Sequence, residues 1–189
     1  MMFKTSRAAY PTRICLIGIL CLLLWTGCGD SGGQDAVTPD KAPMADRSAD
    51  RIVAHLYFSD SDNSFLISEE RSLPALVRPE EAGALIVKAL LEGPKKALER
   101  TIPAGTQLKG FYILENRTAY VDLSMEIRDR HPGGAKSELM TIYSIVNSLI
   151  VNIPEIETVK LLIEGNEQTS LVGHIDLRYP LRANMLYVR

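Results

Sequence analysis

The sequence predicts an α+β domain, a two-layer sandwich in which a small mixed sheet packs against two helices. Three observations carry this. Between residues 52 and 164, short apolar runs alternate at period two, two longer runs switch to helical spacing, and turn-forming residues separate them. Each amphipathic helix has one apolar stripe to bury, and the apolar face of a sheet is the simplest cover for both.

The elements follow in order. Ile52, Ala54, Leu56 and Phe58 alternate with Val53, His55 and Tyr57, which predicts a strand with the first set facing inward. A second extended piece around residues 65–72 pairs with it across the turn Asp60-Ser61-Asp62-Asn63. Pro79 opens a helix, with Glu80 and Glu81 in its positive first turn. Ala82, Leu85, Ile86, Ala89 and Leu90 form its stripe, and Gly93-Pro94 ends it. Residues 107–115 and 117–127 predict a hairpin turning near Asn116. In its second strand Ala119, Val121, Leu123 and Met125 face inward, and Thr118, Tyr120, Asp122 and Ser124 outward. After the break Arg130-His131-Pro132-Gly133-Gly134, a helix follows with Ser137 as N-cap. Leu139, Ile142, Tyr143, Val146, Leu149 and Ile150 make its stripe, and it ends before Pro154. Residues 159–164 predict a strand closing at Gly165, and the rest is irregular or a short edge strand.

The N-terminus points to export. Lys4, Arg7 and Arg13 precede an unbroken apolar run from Ile14 to Leu24. Eleven helical residues reach only ~17 Å, too short for a hydrocarbon core of ~30 Å, so a cleaved signal segment fits better than a membrane span. Thr26-Gly27-Cys28 resembles a bacterial lipobox, in which small residues precede a Cys that becomes the lipidated N-terminus; Trp25 stands where Leu is usual. The expected organisation is a lipoprotein signal peptide over residues 1–27, a lipidated Cys28 with a disordered tether to residue 50, and a folded domain over 51–189. Residues 29–50 are rich in Gly, Ser, Pro, Ala and Asp with no aromatic residue, so they cannot bury enough apolar surface to fold. Such a tether has a root-mean-square reach of roughly 25 Å. The chain is then exported and held by lipid at Cys28, facing the periplasm or extracytoplasmic space.

Composition narrows the chemistry. All three Cys lie at or before position 28, so the domain has no thiol for a disulfide, a Cys-ligated zinc or a catalytic nucleophile. Five of the 21 Lys+Arg and five of the 23 Asp+Glu precede residue 51, leaving 16 and 18 in the domain. With no block of like charge there, nucleic acid is not an expected partner.

Several segments in order resemble the GerMN (sporulation and spore germination) domain. They are His55-Leu56-Tyr57-Phe58, Arg71, Leu90-Leu91-Glu92-Gly93-Pro94, Ile102-Pro103-Ala104-Gly105-Thr106, Ala119-Tyr120-Val121-Asp122-Leu123-Ser124 and the run from Ile142 to Leu149. The resemblance covers nearly all of residues 52–175. It implies a non-catalytic extracytoplasmic domain, often on a lipoprotein, with a fold related to ring-building motifs. Two departures stand out: this chain carries one copy where some members carry two, and Ser148 stands where Thr is commoner.

The residues that could do chemistry read as structural. His55 is expected to be a packed or solvated strand residue and His131 part of a surface turn. His174 and Asp176 form a His-x-Asp pair without further ligands, so no metal site and no cofactor are expected. Asp122 and Ser124 share a strand face, but no Gly-x-Ser-x-Gly elbow accompanies them, and a role in binding backbone donors is expected. No phosphate-cradling glycine motif is present. The expected function is a domain that binds an envelope protein or assembles with itself; the alternative is a cell-wall-acting enzyme with an unrecognised site. The expected partner face is the outer sheet face, Val53, His55, Tyr57, Thr118 and Tyr120, unless the segment from His174 to Arg189 folds over it.

Overall fold

A computed structural model describes residues 50–189. The predicted signal segment, Cys28 and all of the tether before Asp50 lie outside the described residues. The α+β class stands. Strands β1 (Arg51–Ser59) and β2 (Leu66–Pro74) pair antiparallel with Arg51 opposite Pro74 and Ser59 opposite Leu66. Helix α1 (Pro79–Glu92) follows, then the hairpin β3 (Leu108–Ile113) and β4 (Thr118–Leu123). A four-residue helix α2 (Glu126–Asp129) and the long α3 (Ala135–Asn152) lead to β5 (Thr158–Ile163), which runs parallel to β4. A two-residue strand β6 (Asn166–Glu167) and a 3-10 turn (Met185–Tyr187) complete the elements.

The strands divide into two sheets, the β1–β2 ribbon and the mixed sheet β3-β4-β5-β6, where the sequence suggested one. A single core joins them. Ala54, Leu56 and Phe58 of β1 meet Ile86 and Leu90 of α1, Val121 and Leu123 of β4, Ile145 and Leu149 of α3 and Leu161 of β5, all of them buried. The inward set of β1 is as expected except Ile52, which sits at the rim and is exposed.

Local chemistry explains the boundaries. Pro79 occupies the first turn of α1, where its missing N–H costs nothing, and Gly93 at φ 91° takes the left-handed exit after Glu92. Gly83 lets α1 approach the hairpin: a Cβ there would lie 2.2 Å from Cζ of Phe111. Helix α3 starts at Ala135 with Gly134 as its N-cap, so Ser137 is inside the first turn and not the expected cap. Gly133 and Gly134, at φ 82° and 83°, make the reversal that allows this earlier start. Strand β4 stops at Leu123, because the chain turns at once into α2; Met125, expected inward, is therefore exposed.

Helix α3 is buried on more than its apolar stripe. Besides Ile142, Ile145, Val146 and Leu149, its buried residues include Glu138, Thr141, Ser144, Asn147 and Ser148. This helix is central, and its polar side chains have internal partners.

Candidate functional site

Three polar side chains one turn apart on α3, Ser144, Ser148 and Asn152, lie along the outer edge of β1. Asn152 accepts from the N–H of His55 at 2.9 Å and donates to its carbonyl at 2.7 Å. Ser148 Oγ accepts from the N–H of Tyr57 at 3.0 Å, and Ser144 Oγ donates to the Tyr57 carbonyl at 2.6 Å. One residue pair further on, Ser59 and Glu99 exchange both backbone hydrogen bonds. A helix thus completes the edge of a strand, and from His55 to Ser59 that edge has no free donors or acceptors to offer a partner.

The expected partner face is divided by this arrangement. Val53 is exposed and His55 half-buried, its ring Nδ1 3.3 Å from Ser68 Oγ. Tyr57, expected on the outer surface, is buried. It packs with Leu66 and Met140 beneath Tyr143, Tyr187 and Val188, so the C-terminal segment covers it. Burial raises the pKa of its phenol. Thr118 is also buried, its hydroxyl 2.9 Å from that of Thr158 on β5. Tyr120 is half-buried and lies on the other sheet, directly opposite the exposed Tyr112 of β3. The five residues therefore do not form one surface. Sequence reasoning missed Tyr112, which the hairpin register places beside Tyr120; the ring also overlies Gly110, where a Cβ would come within 2.8 Å.

Among the described residues, the buried carboxylates and basic side chains are bound within the fold, Arg71 Nε alone being left without a partner. Glu138 accepts from the N–H groups of Leu171 and Val172 on Oε1 and of His174 on Oε2, with His174 Nδ1 3.0 Å from the same Oε2. Burial alone would raise its pKa, but the N–H groups of Val172 and His174 and the His174 ring outweigh this and hold it low. Glu69 pairs with Arg71 and accepts from the N–H groups of Lys95 and Lys96; Arg71 donates to the carbonyls of Ala89 and Gly93 at the end of α1. Burial pushes Glu69 up, and those N–H groups and the guanidinium bring it below the usual carboxylate range. Lys160 donates to the carbonyls of Leu177 and Arg178 and pairs with Glu167.

The remaining candidates are likewise engaged. His131 Nε2 lies 3.1 Å from Thr141 Oγ1 and its Nδ1 accepts from Gly133; burial lowers its pKa. Asp176 is directed at Arg178, which holds its carboxyl at about 2, while His174 faces Glu138. The two do not converge, and among the described residues no group of three His, Cys, Asp or Glu side chains could hold a metal ion. Asp122 accepts from the N–H of Gly165, and Ser124 accepts from the N–H of Gln107 and donates to Glu126. They bind backbone donors at the end of β4, as expected, and do not bind each other. A hollow of about 330 Å³ opens beside the start of α3, and part of its polar wall is bonded within the fold. Asn63 donates to Ser137, and Thr141 donates to the Thr101 carbonyl.

The family model described as sporulation and spore germination matches residues 55–169. No curated protein matches. Among solved structures, a candidate lipoprotein from Clostridium perfringens is 27% identical with a TM-score of 0.51, covering 70% of this chain and 87% of that one. The first GerMN domain of the sporulation protein GerM from Bacillus subtilis is 22% identical with a TM-score of 0.54, covering 69% of this chain and 97% of that one. Against the tandem GerMN domains of the same protein the values are 22% and 0.58, covering 70% and 46%. The fold is thus that of one repeat of the tandem. No described helix is long and apolar enough to cross a membrane.

Proposed function

We propose, from the premise that the chain belongs to the sporulation and spore germination family, that it is an envelope lipoprotein whose domain acts by binding and not by catalysis. One observation carries the reading. Glu69, Arg71, Glu138 and Lys160, the buried carboxylates and basic groups among the described residues, are all bound by backbone or ion-pair partners inside the fold. Catalysis needs such groups to converge on a point that a substrate can reach. Here they hold loops in place.

The binding surface supported best is the β3 side of the mixed sheet. Strand β3 has no strand on its outer side among the described residues, and Tyr112 with Tyr120 gives that side an aromatic pair. Aromatic residues beside an open strand edge suit docking of an envelope protein or a second copy of the chain. The anchor is the lipid on Cys28, since acyl burial of ~0.8 kcal/mol per CH₂ makes two or more chains a stable attachment.

The test joins anchor and surface. Cys28→Ser should release the protein from membranes or leave it as unprocessed precursor. A photo-crosslinker at Tyr112 should yield discrete adducts in intact envelopes, and one at Ser61, on the far turn, should not. Release of peptidoglycan fragments by the purified protein, lost in Asp122→Ala or Ser124→Ala, would overturn the binding reading and establish the enzyme.

A further inference from the structure

We propose that the end of the domain at which the chain arrives, through Asp50, rests on the lipid surface to which the chain is tethered, with Leu76 and Val77 entering it. This rests on the lipoprotein reading above.

The contacts place several exposed apolar residues at that one end. Strand β1 runs antiparallel to α3, with Tyr57 bound to Ser148 and His55 to Asn152, so residues 51–53 lie beyond the C-terminal end of the helix. Strand β2 returns to the same place: Pro74 faces Arg51, and the Ala75 N–H donates to the Asp50 carbonyl at 2.6 Å. The loop 75–78 therefore sits beside the arriving chain. Arg117 in the β3–β4 turn donates to the carbonyls of Pro154 and Glu155, just past α3, which brings that turn to the same end. Of eleven exposed large hydrophobic residues among those described, six gather here: Ile52, Val53, Leu76, Val77, Leu114 and Val151. Val77 is 98% exposed.

Exposed apolar residues are unremarkable singly, but a cluster at one end calls for an occupant. The loop carrying Leu76 and Val77 is bracketed by Pro74 and Pro79, whose fixed φ restricts how far it can fold back. The occupant follows from the tether. Twenty-two residues lie between Cys28 and Arg51, and a chain of that length behaving as the coil its composition predicts has a root-mean-square reach of roughly 25 Å, which would hold the apolar loop near the bilayer. Such tethering gives a high effective concentration, so even a weak contact is populated. The charges at this end include the pairs Arg78–Glu81 and Arg117–Glu157, with Asp50, Glu80, Glu115 and Glu155 against Arg51 and Arg182, so bases are not in excess. The contact is therefore apolar, and does not depend on anionic lipid.

Labelled mature lipoprotein, processed at Cys28, in phosphatidylcholine vesicles tests this. With Cys28 blocked by lipid, the mature chain has no other thiol, so Val77→Cys provides a single labelling site on an exposed position. Asp62→Cys, at the opposite turn of the β1–β2 ribbon, lies about 30 Å away at ~3.4 Å per strand residue and serves as reference. Each carries an environment-sensitive fluorophore, and a quencher is placed on the acyl chains. Quenching at position 77 should exceed that at 62 several-fold and should persist in high salt. Equal quenching at the two positions, in vesicles that carry the protein on flotation, overturns the proposal while leaving the anchor intact. Failure to float removes the anchor, and the proposal with it.

Discussion

Replacing Glu138 with Gln removes a charge while keeping the shape, and it tests whether the segment after β6 is held by that carboxylate. Four donors converge on two oxygens: the N–H groups of Leu171 and Val172 on one, the N–H and Nδ1 of His174 on the other. A glutamine has one oxygen. Its best orientation keeps that oxygen on Leu171 and Val172 and turns the NH₂ toward His174, whose backbone N–H then faces a donor. An unsatisfied buried donor costs about 1–3 kcal/mol, and hydrogen bonds that lose charge assistance weaken by about half. Relief of the carboxylate's desolvation works the other way, and His174 is part-exposed, so its N–H can find water. The net expectation is a loss of about 2–3 kcal/mol, on the order of 8–10 °C in Tm for a domain of this size. Unfolding by urea, followed by far-ultraviolet circular dichroism on the chain from Ala49 onward, measures it; the one Trp, at position 25, precedes the domain. The pH dependence supplies a second test. The folded carboxyl has a depressed pKa, so between the two pKa values the unfolded state binds more protons and stability rises with pH. The advantage of the natural protein over Glu138→Gln should be complete above the unfolded carboxyl's pKa of ~4.3. It should shrink as pH falls through the folded value. Equal midpoints at pH 7, or a gap that does not shrink in acid, would refute the reasoning.

Two further substitutions probe the packing. Gly83→Ala should gain about 1 kcal/mol from helix propensity alone, but its Cβ would meet the Phe111 ring at 2.2 Å, and overpacking costs ~1–3 kcal/mol; a net loss is expected, and a higher urea midpoint would show that the ring moves freely aside. Asn152→Ala removes both hydrogen bonds to His55 at a cost of ~1–3 kcal/mol, and hydrogen exchange at the His55 amide should accelerate more than at Ala54; unchanged exchange would mean that water replaces the side chain.

Period and punctuation made most of the fold legible. The alternation from Ala54 to Phe58 and the stripes of α1 and α3 each predicted a buried set, and those sets form the core. Where the reading failed, a long-range contact had overridden a local rule. At Tyr57 the alternation leaves two outcomes open, and the one found is the return of the C-terminal segment, with Tyr187 and Val188 over the ring; nothing near residue 57 decides between them. Met125 continues the inward pattern of β4, but the chain leaves the strand after Leu123. A local signal for the closed edge did exist: Ser144, Ser148 and Asn152 recur at four-residue spacing on α3, a polar row on a helix otherwise apolar. Such a row ordinarily faces water. Its burial depends on β1 offering backbone groups at 3.3–3.4 Å steps that a helix side chain can reach only where the two elements lie side by side.

That closed edge bears on how the domain can associate. A strand edge invites pairing wherever its donors and acceptors lack partners. In β1 from His55 to Ser59 they are taken by α3 and by Glu99. In the mixed sheet, β5 is flanked by β6 and by Leu181, whose backbone exchanges hydrogen bonds with Val159. The start of β2 is met by the C-terminus, where Arg189 donates to the Leu66 carbonyl. Among the described residues, β3 and the part of β2 beyond Leu66 have no such cover from another strand. The register shift of β3 between Leu108 and Gly110 is a bulge, a device that limits indiscriminate pairing at an edge. An added strand would therefore register from Phe111 to Ile113, beside Tyr112. Inserting a proline at Phe111 would remove the N–H such a partner needs but would also disturb the core, because Phe111 packs on Gly83. Tyr112→Lys is the cleaner perturbation. Its side chain is exposed, so stability should change by less than about 0.5 kcal/mol, whereas association through this edge should weaken.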